Sequence, residues 1–460
     1  MEFVNGWKNS ARAHGNRLHS ICSYMAMFPP SIPRYFIEKC TQPGDLVLDP
    51  FAGRGTTPLE ACLTGRIGIG NDLNPLAYCL TRAKVQIPPY EAVYSRLQIL
   101  ERNYQPLSGS ESLLKSYREL SETASRVQES KWSGDVGLDR ETWERLAEML
   151  REMRYLYAGS DARMPYLRSQ DYDFREENAR DIGYNESFHH RIWLFYHPET
   201  LRQLVYLREN LGDGPEDDFI RGLVLGIMHG RGRHYLSLPM PNTFSMTPRY
   251  VLAYSYKNML ILPSKNVFDC LRRKITLLDP LPARYVRGVS FIGDVRDLSQ
   301  TLGAFLASLG RKPRLLVSSP PYLGVVKYGQ YNWIRLWFLE GQPPVETTTG
   351  ARLQSLDEAV DSSLDDGHHD LDGYLKFMRE SLAAVSQVMA PGAVSAWVIG
   401  DVGDLNLAGA VWEESARPLG YRKMGVIADE IDEGKKVTKI WGSERGRATR
   451  IDRILVLEEP

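Results

Sequence analysis

The 460-residue chain has little cysteine, no long apolar run and almost no net charge. Its five cysteines (Cys22, Cys40, Cys62, Cys79 and Cys270) are odd in number and include no C-x-x-C pair. That argues against a disulfide framework and against a cysteine zinc centre, and it suits a reducing compartment. No stretch reaches the roughly 18 consecutive apolar residues of a membrane span. Residues 1–19 lack the apolar core of a signal peptide, so a cytoplasmic protein without membrane partners is the expectation. Lys+Arg number 56 against 57 Asp+Glu, a net charge of −1, so no global basic field points to nucleic acid. Repeats and low-complexity tracts are also missing. The composition that remains, 43% apolar and 25% charged, is that of a globular protein with room for one large core or two.

Texture changes along the chain. Residues 41–87 read as compact α/β: Leu46 to Leu48 suit a buried strand, Thr57 to Leu63 a helix, and Ile67 to Gly70 a second strand. Roughly 91–210 is polar and helical in pattern, and 219–228 places Phe219, Ile220, Leu223, Val224, Ile227 and Met228 at helical spacing. From about 288 short β-branched or leucine-rich runs return at Val289–Ile292, Leu315–Val317, Val394–Ile399 and Ile454–Leu457, separated by helix-length gaps. Strands alternating with helices predict a mostly parallel sheet covered on both faces. The expected architecture is one discontinuous α/β domain, 1–90 with 286–460, split by a largely helical insertion over 91–285.

The first chemically informative stretch is GDLVLDPFAGRGTTPLEACLTGRIGIGNDLNP. A strand ends at Asp49, and Gly53 and Gly55 permit a turn in which the backbone can approach a ligand at a helix N-terminus. The second strand ends at Asp72, 17 residues beyond Gly55, where a carboxylate can accept both hydroxyls of a ribose. Pro58 replaces the third glycine of the dinucleotide pattern, which weighs against hydride transfer. The plain alternative is a βα turn with a surface aspartate.

The second stretch runs from the strand Leu315–Val317 into Ser318-Ser319-Pro320-Pro321-Tyr322. Residues just past the carboxyl end of a strand in such a sheet face the ligand crevice. Two prolines hold the corner extended, so the Ser319 hydroxyl and the Pro320 carbonyl can point the same way, with Tyr322 as a flat face beside them. That is a cradle for a planar group bearing an amine. Accepting the N–H bonds of a nucleobase amine in bent geometry localises its lone pair, which can then attack an electrophilic methyl group. A rigid corner with a packed tyrosine is the plain alternative.

With both stretches in view, the chain resembles the amino-group DNA methyltransferases that use S-adenosylmethionine. Asp49-Pro50-Phe51-Ala52-Gly53-Arg54-Gly55-Thr56-Thr57 looks like their motif I, and Ser319 to Tyr322 like their motif IV, whose serine form goes most often with the N4 amine of cytosine. Tyr24 to Glu38, with Phe28 and Pro29, resembles motif X, which closes over the cofactor. Asp72-Leu73-Asn74 resembles motif II, Phe291 to Val295 motif III, and Val394 to Asp401 motif VI. The resemblance implies a Rossmann-like methyltransferase sheet. It also implies S-adenosylmethionine bound by Phe28, Pro29, residues 49–53, Gly55 to Thr57, Asp72 to Asn74, Asp294 and Val295. Asp294 would face the adenine amine, and Ser319, Pro320, Pro321 and Tyr322 would do the catalysis. Two departures stand out: the long insert precedes motif III instead of following it, and a second, acidic interruption occupies 339–371.

For the target, residues 221–287 hold eleven Arg and Lys against Asp269 and Asp279. There HGRGRHYLSLPMPNTFSMTPRYVLAYSYKN interleaves cations with aromatic and hydrogen-bonding side chains, which suits phosphate contacts with stacking or edge reading. Arg231, Arg233 and Arg249, with Lys435 and Lys436 from a second basic cluster, are the candidate DNA contacts; the plain alternative is a solvated basic surface. His189, His190 and His197 lack a completing carboxylate or cysteine at metal spacing, so no metal is expected. Asp361, Asp365, Asp366 and Asp370 lack the glycine-centred loop of a calcium site and read as a mobile acidic loop. Tyr331, Trp333 and Trp337 read as core on a helix.

The expectation is therefore a DNA methyltransferase acting on the cytosine N4 amine after base flipping. A cognate restriction endonuclease is the partner such an enzyme could have. The alternatives are N6-adenine methylation, an RNA base methyltransferase, and a nucleic-acid-binding protein that has lost turnover.

Overall fold

The computed structural model describes residues 3, 7, 15–24, 28–131, 139–160, 192–230, 234–239, 245–321, 323, 328–340, 356–364, 370–401, 405–430 and 451–460. Chain contacts divide it into two compact units. One comprises Met1–Ile87, Leu278–Lys327 and Val360–Pro460; the other comprises Pro88–Leu277 and Tyr328–Ala359. The breaks at 87/88 and 277/278 lie near the sequence-derived 90/91 and 285/286. Tyr328–Ala359, read from sequence as part of the outer domain, joins the second unit instead.

The first unit is built on a seven-stranded sheet: β1 Leu46–Asp49, β2 Ile67–Asp72, β3 Val289–Ile292, β4 Leu315–Ser318, β5 Val394–Gly400, β6 Arg422–Glu430 and β7 Ile451–Glu458. Their order is β3-β2-β1-β4-β5-β7-β6; the first five run parallel, and β7 is antiparallel to both β5 and β6. Two-residue periodicity explains the two covered faces. Val47, Leu315, Val317, Ala396, Val398, Ile454 and Val456 point into a core with Ile32, Phe36 and Ile37 of the helix Ser31–Cys40 and Ala61 of the helix Thr56–Leu63. The intervening Leu46, Leu48, Leu316, Trp397, Ile399, Leu455 and Leu457 point the other way. They meet Leu298, Leu302, Leu382 and Val385 of the helices Leu298–Leu309 and Leu371–Val388. β6 was not anticipated: its run, Arg422 to Glu430, begins and ends on charged residues with only a short apolar stretch between, and it lies at the edge of the sheet.

The chain winds outward from β1 through β2 to β3 and then returns to β4 on the other side of β1. The carboxyl ends of β1 and β4 therefore adjoin where the winding reverses, the place at which open α/β sheets bind ligands. The helix Thr56–Leu63 lies close on β2 because β2 carries glycines. A Cβ on Gly68 would lie 2.1 Å from the carbonyl oxygen of Pro58.

The second unit is helical in its described parts, with Tyr90–Asn103, Glu111–Lys131, Arg140–Ser160, Pro198–Asn210, Pro215–Met228, Pro248–Asn258, Val267–Thr276 and Tyr328–Leu339. Trp333 and Trp337 are fully buried, and Arg335 between them donates to the carbonyls of Leu225 (3.0 Å) and His229 (2.7 Å). His197 is also buried and accepts the Glu199 N–H at 3.2 Å as the cap of Pro198–Asn210; His189 and His190 lie outside the described residues. The acidic stretch read as a loop is in part regular. Asp361 sits in the helix Leu356–Leu364, and Asp370 caps Leu371–Val388 by accepting the Gly373 N–H at 2.7 Å. A helix reading was available there, since Asp370 precedes a run of apolar residues at helical spacing.

Gly68→Ala is expected to destabilise the protein by about 1–3 kcal/mol through this overpacking. Gly303→Ala, within Leu298–Leu309 where nothing stands within 4 Å of the added carbon, should stabilise it by about 0.5–1 kcal/mol. Urea midpoints of the two variants should move in opposite directions.

Candidate active site

Asp49 closes β1 with its carboxylate 1% exposed. Its Oδ1 accepts the Ser318 hydroxyl at 2.6 Å and the Phe51 N–H at 3.3 Å. Burial pushes this carboxyl up to about 7; the bonds from Ser318 and Phe51 pull the other way, and the charge of Asp72 adds to the rise. Phe51 turns its ring toward Phe377 (5.8 Å) and Trp397 (6.5 Å), which anchors the turn to one core. Buried Ala52 donates its N–H to the Asn71 carbonyl at 2.9 Å.

Gly53 (φ +50°) and Gly55 (φ +76°) hold left-handed conformations. At Gly55 a Cβ would meet Thr81 Oγ1 at 2.8 Å, so only glycine fits both the dihedral and the space. Gly55 caps Thr56–Leu63, and Thr57 donates its hydroxyl to the Val317 carbonyl at 2.9 Å.

Asp72, at the end of β2, accepts the Gly53 N–H at 2.8 Å on one oxygen and the Asn74 N–H at 2.9 Å on the other. Burial raises its carboxyl to about 6 despite those bonds. Asn74 caps Pro75–Val85 through its Oδ1 and donates its Nδ2 to the Tyr24 hydroxyl at 3.2 Å. The Tyr24 ring edge would stand 3.4 Å from a Cβ on Gly53, so the turn, Asn74 and Tyr24 form one group. Phe28 packs on the core beneath, whereas Pro29 is exposed ahead of Ser31–Cys40.

Ser319, Pro320 and Pro321 leave the end of β4 beside the end of β1, with Pro320 buried; Tyr322 lies outside the described residues. Asp294 follows β3, which is paired with β2 through Asp72↔Ile292. Its carboxylate accepts from the Arg296 backbone N–H (2.8 Å), Nε (3.0 Å) and Nη2 (2.6 Å), a partner the sequence reading did not assign; Val295 is buried in the core. The first unit thus brings together Asp49 to Thr57, Asp72 to Asn74 and the Ser319 corner. Thr81 and Ser318 belong to the same group and were missed; Tyr24 belongs to it too, and it opens the stretch read as motif X but was given no role of its own. Ser318 had a signal, a hydroxyl inside a strand run otherwise apolar.

The basic stretch of the second unit is partly neutralised from within. Arg221 pairs with Asp218 at 2.7 Å, and Arg272 with Glu101 at 2.5 Å and Asp269 at 2.6 Å. Arg249 is half-buried on Pro248–Asn258, whose Tyr250 and Tyr254 rings stack at 5.6 Å. Arg231, Arg233, Lys435 and Lys436 lie outside the described residues.

Residues 2–81 match the family N6_N4_Mtase, described as DNA methylase. The Type II methyltransferase M.MjaII of Methanocaldococcus jannaschii is 31% identical over 77 residues, which is 17% of this chain and 14% of that protein. M.XycI of Xanthomonas campestris pv. cyanopsidis is 39% identical over 64 residues, 14% of this chain and 21% of its own. M.PvuII of Proteus hauseri is 33% identical over 75 residues, 16% and 22% respectively. The chain therefore spans less than a quarter of the length of each of these relatives, and the family match ends before the Ser319 corner. Among the described residues no helix is long and apolar enough to cross a membrane.

Because Asp49 and Asp72 have folded values above the ordinary carboxylate range of about 3.9, folding favours their protonated forms. The stability this confers is complete below about pH 4 and is lost as pH rises through about 6 and 7. The melting temperature of wild type relative to Asp49→Asn or Asp72→Asn should accordingly fall between pH 5 and pH 8. A pH-independent difference would contradict the assignment. The buried His19, lowered by desolvation, titrates in the opposite sense but is common to all three proteins and cancels.

Proposed function

Because residues 2–81 carry the sequence of the N6/N4 amino-methyltransferase family, we propose that this protein is an S-adenosylmethionine-dependent DNA methyltransferase acting on the exocyclic N4 amine of cytosine. The observation that carries the reading is the side-by-side placement of the glycine turn after β1 and the Ser319 corner after β4, at the reversal of the sheet.

The donor set suits the cofactor. Gly53 and Gly55 leave the backbone bare, and each Asp72 oxygen, already accepting one N–H, keeps a second lone pair for a ribose hydroxyl. Phe28, Pro29, Asp49 to Ala52, Thr56, Thr57, Leu73, Asn74 and Val295 would complete the wall, with Asp294 toward the adenine amine. S-adenosylmethionine, when bound, supplies an electrophilic methyl group on a sulfonium. Ser319 and the Pro320 carbonyl accept the N–H bonds of the target amine and turn its lone pair outward. Pro321 stiffens the corner, and Tyr322 stacks on the base. The base must leave the helix to reach this corner, because a stacked cytosine cannot enter the end of a sheet. Holding the amine in line is the main contribution of the protein. Arg231, Arg233, Arg249, Lys435 and Lys436 contact phosphates, the enzyme acts in the cytoplasm, and a cognate restriction endonuclease is its partner.

Nucleoside mass spectrometry after incubating the protein and S-adenosylmethionine with unmethylated DNA and RNA tests this reading. N4-methylcytosine in DNA is expected. N6-methyladenine would overturn the choice of base, and modification of RNA alone the choice of polymer. Ser319→Ala should lower turnover at least about 100-fold, the scale of a misplaced reacting group, with the dissociation constant of S-adenosylhomocysteine unchanged. Replacing both Arg231 and Arg233 by Ala should weaken DNA binding and make its salt slope shallower by about 2. An unaltered slope would remove them from the DNA surface.

A further inference from the structure

Where β1 and β4 leave the sheet, their link changes character. The backbone register between them runs through Val47↔Leu315 and Leu48↔Leu316, and Pro50, lacking an N–H, cannot extend it. Two side-chain hydrogen bonds take over at this level. Thr57, at the start of the helix that the glycine turn feeds, donates to the Val317 carbonyl at 2.9 Å. Ser318 donates to Asp49 at 2.6 Å. Thr57 and Ser318 are fully buried and Asp49 is 1% exposed.

A buried carboxylate and hydroxyl serve a fold poorly. Their desolvation is offset by their mutual bond and by the Phe51 N–H that Asp49 also accepts, and apolar residues of similar size would fill the space at least as well. What this pair does that apolar residues cannot is fix distance and direction between two points. One is the residue that opens the glycine turn; the other is the residue that immediately precedes Ser319.

We propose that the Asp49–Ser318 bond, with Thr57–Val317 beside it, is a positioning device that sets the Ser319-Pro320-Pro321 corner from the Gly53–Gly55 turn, so that filling the turn orders the corner. Asp49 and Ser318 are positioning residues: they act through the corner that follows β4. The proposal rests on the function given above only in taking that corner as the place where the target base is held.

The cleanest test compares Ser318→Thr with Ser318→Val. These side chains have the same shape and crowd the strand equally, so only the hydroxyl distinguishes them. Ser318→Val should turn over at least about tenfold more slowly than Ser318→Thr, with equal affinity for S-adenosylhomocysteine by calorimetry and similar melting temperatures. Ser318→Ala provides the same comparison with wild type should the larger side chains prevent folding. Equal turnover of the isosteres, or a parallel loss of turnover and affinity, would overturn the proposal.

Hydrogen exchange reads the coupling without turnover. S-adenosylhomocysteine should slow exchange in a peptide spanning 318–323 of wild type and Ser318→Thr, but not of Ser318→Val. If wild type methylates no DNA yet shows this pattern, the device stands and the DNA reading falls. If S-adenosylhomocysteine protects that peptide equally in Ser318→Val, or in no variant, the device falls whatever the substrate.

Discussion

The first unit depends on the pairing of Val47 and Leu48 with Leu315 and Leu316. These strands are distant in the chain, and nearly the whole second unit is threaded between them. Loop-closure entropy rises only slowly with length, so a long insertion between the strands costs little once their buried faces match. Both strands are fully buried, and their alternate residues enter two separate cores. A one-residue slip would exchange the faces and empty both cores, so the register is strongly specified. That register in turn brings Asp49 to Ser318 and the glycine turn to the Ser319 corner.

The same arrangement concentrates electrostatic cost at the strand ends. Among the described residues no cation stands beside Asp49 or Asp72, and burial raises both. Their partners are backbone N–H groups and hydroxyls. Strongly perturbed carboxyls cluster at functional sites. Some other buried charges are paired: Glu60 accepts from Arg34 and lies 2.7 Å from His19, and Asp401 accepts Arg453, whereas buried Glu459 is raised to about 7 in the same way as Asp49.

Much of the site was legible because its signals are local. A glycine turn needs positive φ at Gly53 and Gly55 whatever surrounds it, and a carboxylate at the end of the next strand reaches that turn through its own backbone bonds. The stiff Ser319 corner is likewise written in consecutive residues. Signals that depend on a partner were illegible. Nothing in the sequence tells that Arg296 engages Asp294, that Thr81 stands over Gly55, or that Gly68 makes room for Pro58. Composition also misled: the basic total over 221–287 overstates what is available to a phosphate, since Arg221 and Arg272 are paired to carboxylates.

The sequence by itself determined the α/β alternation, the turn that follows β1, the acidic end of β2 and the corner that follows β4, because each is set by dihedral limits and apolar runs within a few residues. Only the tertiary structure decided that β4 lies beside β1, that β7 enters antiparallel between β5 and β6, and that Tyr328–Ala359 packs with the helical unit. Those choices rest on which apolar faces find each other, a property of pairs of distant segments that no single segment contains.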